Sequence, residues 1–173
     1  MSKMRSLARA VVYGTAVMIL AIGVARAEPL PQPQDRPLLK VTGQITTTNM
    51  DDVAAFDLPM LEALGRTTLV TSTAWTEGRA EFEGVLLSAL VERVGATGKT
   101  AVAIALNDYK VEIPVEDFSS YPVILAYRMN GKRLRIRDKG PLWIIYPQDD
   151  YPALKTKQTQ AKWVWQVKEF QFK

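Results

Sequence analysis

Apolar and polar positions change places over short stretches along most of the chain, and Gly, Pro, Asn and Asp break the pattern often. That arrangement predicts many short strands and few helices. Leu38–Thr48 carries β-branched residues at intervals and reads as a first strand, with Gly43 placed for a bulge. A short helix opens at Asp57-Leu58-Pro59. Asp57 can accept from the free N–H groups, Pro59 fits the first turn, and Gly65 stops the helix after Leu61 and Leu64. Thr67–Trp75 (TTLVTSTAW) reads as a second strand from its β-branched content. Phe82-Glu83-Gly84 leads into Val85–Val94, where Leu87, Leu90, Val91 and Val94 fall at helical spacing and Gly95 closes the helix.

Thr100–Leu106 is a near-continuous apolar run, the mark of a central strand covered on both faces. Asn107-Asp108 turns the chain into Tyr109–Ile113, whose alternation predicts one exposed face. Pro122–Arg128 and Leu142–Tyr146 read as buried strands, and Asn130-Gly131 as a hairpin turn, since both residue types tolerate positive φ. Gln148–Gln160 reads as a polar loop. The last strand, Ala161–Phe172, places Trp163, Trp165 and Val167 on one face and Phe170 and Phe172 in the opposite phase; a bulge near Lys168 or Glu169 would reconcile them. The sum is an α+β fold, a mixed β-sheet domain with short helices.

Composition narrows the chemistry. The chain has 173 residues, 47% hydrophobic and 23% charged, and a formal charge of +4. Lys3, Arg5, Arg9 and Arg26 all lie within residues 1–27, which contain no acid; without them 18 basic residues balance 18 acidic ones. A protein gripping nucleic acid needs a net cationic footprint, so no nucleic-acid partner is expected. Residues 1–27 read as a signal peptide, with basic residues first, an apolar run from Ala10 to Val24, and Ala25-Arg26-Ala27 for cleavage after Ala27. That run is short for a membrane span. The expectation is export, to a periplasm, with no span after cleavage. Glu28–Pro37 is Pro-rich and reads as a tail or extended lead-in rather than packed structure, leaving 38–173 as the domain.

The sequence contains no Cys and no His. Disulfides, thiolate or imidazole metal ligation, and Ser–His–Asp or Cys–His nucleophiles are therefore unavailable. Arg128, Lys132, Arg133, Arg135, Arg137 and Lys139 crowd around one acid, Asp138. Arg133, Arg135 and Arg137 alternate with Leu134 and Ile136, which would put them on one strand face. They could form an anion site, but a solvated face protecting a sheet edge is the favoured reading. Trp75, Trp143, Trp163 and Trp165 could offer a stacking platform, with core packing the commoner use of such residues. The paired acids Asp51-Asp52, Glu116-Asp117 and Asp149-Asp150 lack calcium-loop spacing and read as turn or capping residues. Asn107 and Asp108 close a central strand, where ligand contacts often sit, though a plain turn accounts for them too.

The ordered segments FDLPMLEALG (56–65), the Thr-rich strand ending in Trp75, FEGVLLSALVERVGA (82–96), ALNDYKVEIPVEDF (105–118), LAYRMNGKRL (125–134), GPLWIIYP (140–147) and KWVWQVKEF (162–170) together resemble the molybdopterin-binding domain of the sulfite-oxidase-type oxidoreductases. They are most similar to small exported single-domain relatives. The resemblance implies a sulfite-oxidase-like fold over nearly all of Leu38–Phe172. In that family a Cys thiolate a few residues before a Trp binds molybdenum; counting back from Trp75, the matching position is Thr71, with Thr73 as the alternative. Neither hydroxyl replaces a thiolate, being protonated, hard and weakly ligating. The candidate cleft positions for a cofactor or its replacement are Thr71, Trp75, Asn107, Arg128 and Lys162. No catalytic residue and no metal ligand is assigned. The expectation is a cofactor-free module, molybdopterin being implied by the resemblance alone, that binds a small ligand or a periplasmic or membrane protein partner. The alternatives are a pterin- or anion-binding domain, and an oxidoreductase with a non-Cys metal shell.

Overall fold

Among the described residues ten strands form, and their pairing follows from where apolar residues alternate or run together. In the computed structural model residues 29–173 are described, so the expected signal peptide lies outside the described residues. The first sheet joins β1 (Leu39–Gly43), β2 (Ala54–Phe56), β5 (Thr100–Ala105), β6 (Lys110–Pro114) and β10 (Val167–Phe172) in the order β2-β1-β10-β5-β6. Only β1 and β10 run parallel. The second joins β3 (Thr67–Ser72), β4 (Arg79–Leu86), β7 (Ile124–Met129) and β8 (Lys132–Arg133) in that order, with β9 (Trp143–Ile145) also antiparallel to β7. Both sheets feed one hydrophobic core: Leu39, Val41, Phe170 and Phe172 from the first, Phe82, Leu125 and Trp143 from the second.

Among the described residues four short helices lie between strands: α1 (Leu58–Glu62), α2 (Leu87–Val94), α3 (Glu116–Ser120) and α4 (Lys157–Gln160). Asp57 caps α1 as expected, accepting from the Met60 N–H. Burial raises the Asp57 carboxyl, but N–H groups of Met60, Asp35 and Gln34 outweigh it and hold the group below the usual carboxylate range. Gly95 ends α2 in the left-handed region. At the hairpin, Asn130 (φ 49°) and Gly131 (φ 72°) both take positive φ. The bulge expected near Lys168 appears as a register shift between Val167 and Glu169. Among the described residues, no helix is long and apolar enough to cross a membrane.

Several expectations need correction. Val85 and Leu86 end strand β4 rather than start a helix, because Ala80, Phe82 and Gly84 alternate inward and the weak apolar signal of Ala and Gly hides that period. Strand β3 stops at Ser72, so Trp75 sits in a turn. Arg133, Arg135 and Arg137 do not share a strand face. Strand β8 ends at Arg133, and Ile136–Asp138 forms a 3-10 turn in which Arg135 and Arg137 lie 2.8 and 3.8 Å from the Asp138 carboxylate. Trp163 and Trp165 are not on one face of the last strand, which begins at Val167; Trp163 is buried and Trp165 exposed. The loop at 148–160 contains a 3-10 turn (Pro152–Leu154) and α4, capped by Thr156. Finally, the Pro-rich lead-in is packed. Leu30 joins the core, and the backbone N–H groups of Gln34 and Asp35 donate to Asp57.

Candidate functional site

Where β3 ends, the chain TSTAW (71–75) splits two neighbourhoods. Thr71 is fully buried, and its hydroxyl lies 3.4 Å from both the Ser72 carbonyl and the Asp149 N–H. Beside it, Ser72 donates to Asp149 twice, from its N–H (2.7 Å) and from its hydroxyl (2.8 Å). The Gln148 amide donates to the Ser72 carbonyl at 2.8 Å. Arg79 and Lys155 approach the same carboxylate at 3.6 and 3.1 Å. The Ser72 N–H and then its hydroxyl, helped by Lys155, bring the Asp149 carboxyl down to about 2 against a small opposing effect of burial.

An expected pH response follows. Because folding lowers the Asp149 carboxyl, its contribution is fully present above the ordinary carboxylate value and is lost as pH falls toward about 2. Asp149→Asn should destabilise the domain by about 1–2 kcal/mol at neutral pH. Urea unfolding of both proteins at pH 7 and at pH 2.5 checks this; a gap that is as wide in acid as at neutrality would contradict it.

After Ser72 a hydroxyl-supported turn re-aims the chain. Thr73 accepts from the Trp75 N–H at 2.9 Å, and the Thr73 N–H donates to the Thr76 hydroxyl at 3.2 Å. Trp75 is thereby set against three other indoles: Trp165 at 5.1 Å and 73°, Trp163 at 6.2 Å and 48°, Trp143 at 6.2 Å and 65°. Trp163 stacks on Tyr146 (6.3 Å, 25°), and Phe82 meets Trp143 edge-on. Next to this group opens a cleft of about 310 Å³ lined by Trp75, Asn107, Tyr109, Gln160, Trp163 and Trp165 together with small apolar residues.

A third unit sits behind Trp163, through its stacking on Tyr146. The Tyr146 hydroxyl donates to Asp117 at 2.9 Å and Lys162 donates to the same oxygen at 2.6 Å. Burial first, then the Asp117 charge and hydrogen bond, push the Tyr146 phenol far above its usual value.

Of the five positions suggested by the sequence, Trp75 and Asn107 meet in the cleft. Lys162 stands between two lining residues, Ala161 and Trp163, but commits its ammonium to Asp117. Thr71 belongs to the neighbouring Ser72–Asp149 cluster. Arg128 is elsewhere, paired with Glu83 at 3.1 Å and Glu62 at 3.7 Å. Sequence reasoning missed Tyr109 and Gln160 as lining residues, and it treated Asp149 only as a turn residue. The hydroxyl residues of TSTAWT (71–76) were the available signal for a polar cluster; nothing local pointed to the partner of Ser72, 77 positions away.

Residues 29–169 match the family described as oxidoreductase molybdopterin binding domain. The crystal structure of the sulfane dehydrogenase SoxCD from Paracoccus pantotrophus is similar in fold, with a TM-score of 0.57 and 22% identity over 78% of this chain. This chain spans 37% of that one. No curated protein sequence matches.

Proposed function

The chain belongs to the oxidoreductase molybdopterin binding domain family, and we propose that within it the protein is an exported accessory module that binds a small ligand or a partner protein without molybdenum redox turnover. The observation carrying this reading is what surrounds Thr71. The resemblance puts the family's thiolate ligand at Thr71, with Thr73 as the alternative; both are hydroxyls here, and the buried Thr71 is followed directly by Ser72, which holds the Asp149 carboxylate. Asp149 is ionised across the physiological range, and its hydrogen bonds to Ser72 fix it in place. Metal–dithiolene and phosphate groups are anionic, so a fixed anion opposes them, while Arg79 and Lys155 are already drawn to Asp149. Among the described residues no group of three or more His, Cys, Asp or Glu could hold a metal ion. These residues do not fit the cofactor.

Expression with the leader in a host that makes the cofactor tests the reading. The purified protein should carry far less than stoichiometric molybdenum and release no pterin. Stoichiometric molybdenum would overturn the proposal, and pterin without metal would move it to a pterin-binding domain. Export is checked in the same preparation: the periplasmic fraction should contain the protein, beginning at Glu28.

A further inference from the structure

We propose that the cleft beside Trp75 binds a small planar aromatic carboxylate, stacked against the indole walls with its oxygens met by the donors of Trp163, Asn107 and Gln160. The proposal rests on the reading above only in requiring a cleft free of cofactor.

The walls supply the ring preference. Trp75, Tyr109 and Trp165 are 37%, 53% and 36% exposed, a concentration of large aromatic surface left facing solvent. Ala105 and Val164 fill in between them, and the lining contains no acidic or basic side chain. The cleft of about 310 Å³ lies at the small end of the range for ligand sites, suited to one or two fused rings. The indoles are already braced, Trp75 by three neighbours and Trp163 by Tyr146, so little side-chain freedom is lost on binding.

The polar groups supply the preference for an acceptor. Trp163 buries its Nε1–H with no hydrogen-bond acceptor among the described residues. An indole nitrogen is a donor only, so this buried N–H, in a residue that lines the cleft, is left without the acceptor it needs. Asn107 accepts the Tyr109 N–H at 3.2 Å through its side-chain oxygen, which leaves its amide N–H groups uncommitted. Gln160 has no side-chain hydrogen bond among the described residues and adds further donors.

Charge then selects an anion over a neutral acceptor. The Lys139 ammonium lies 6.0 Å from the centroid of the Trp165 ring and 5.6 Å from that of Trp143. No carboxylate pairs with Lys139 among the described residues, so a positive charge stands one ring away from the cleft. It disfavours a cationic ligand, which aromatic walls alone would otherwise suit.

Nuclear magnetic resonance of the metal-free protein, following the indole N–H signals, provides the test. The probes are 2-naphthoate, the neutral 2-naphthamide and the cationic 2-naphthylmethylammonium. The carboxylate should shift the Trp163 and Trp165 signals saturably and bind about tenfold or more tightly than the ammonium probe, with the amide between them. Trp75→Ala, at an exposed turn position, should weaken naphthoate by about tenfold or more, and Gln160→Ala by a smaller factor. Trp163→Phe keeps a ring and removes the donor; it should cost about tenfold for the carboxylate and much less for the ammonium. Equal or tighter binding of the ammonium probe would overturn the proposal, as would saturating shifts that Trp75→Ala leaves unchanged or an absence of shifts with all three probes. Molybdenum and pterin assays on the same preparation report separately on the cofactor question, so the two readings fail independently.

Discussion

Gly84→Ala should destabilise the domain by about 3 kcal/mol and lower Tm by about 10 °C. A Cβ on Gly84 would stand 2.3 Å from the Leu125 carbonyl oxygen and 2.6 Å from the Ala126 Cα. Both are backbone atoms of the neighbouring strand β7, so no side-chain rotation relieves the clash. The register shifts at this point, Glu83 facing Arg128 and Gly84 facing Ala126, and the strands close on each other where a side chain is missing. Because β7 is the centre of its sheet, pairing with β4, β8 and β9, moving it disturbs three interfaces together. Gly78→Ala is the control. Gly78 has φ +64° but nothing within 4 Å of its Cβ, so only the backbone preference is lost, about 1 kcal/mol. Urea unfolding followed by Trp fluorescence measures both; equal losses would show that the close strand approach contributes nothing.

The second large effect is expected at Asp117. Tyr146 is fully buried with its hydroxyl on Asp117, and Lys162, 16% exposed at the side chain, shares the same oxygen. Asp117→Ala would strand a phenol and an ammonium together inside the fold, a loss of about 3 kcal/mol. Tyr146→Phe removes only the hydroxyl and should cost about 1 kcal/mol. In the double variant the losses should not add, since the two residues form one unit. Strict additivity would mean that the hydrogen bond between them carries no coupling. The same contact has an alkaline signature. Folding raises the Tyr146 phenol, so its contribution is full below the ordinary tyrosine value near 10 and is lost as pH rises beyond it. In Tyr146→Phe that alkaline fall should shrink.

Legibility in the sequence differed by the range of the interaction involved. The Asp57 cap, the Gly95 stop, the Asn130-Gly131 turn and the bulge near Lys168 each follow from preferences acting over a few residues, and each appears. Strand β4 escaped because Ala80 and Gly84 contribute inward positions without apolar weight. The three alternating arginines misled for a related reason: a period of two specifies a strand face only while the strand lasts, and β8 ends after two residues. At the site, Trp75 and Asn107 both line the cleft, whereas Arg128 was drawn to Glu83 across the paired strands β4 and β7.

By itself, the sequence determined which chemistry the chain carries. With no Cys and no His, it contains no thiolate and no imidazole, and that holds whatever the fold. It also determined the local punctuation, because capping, positive φ and apolar periodicity are properties of neighbouring residues. Only the tertiary structure decided that Asp149 would meet Ser72 from 77 positions away, that Asp117 would receive Lys162 from 45, and that Trp75, Tyr109 and Trp163 would wall one cleft. Those encounters depend on strand order and register summed over both sheets, and no window of a few residues contains that information.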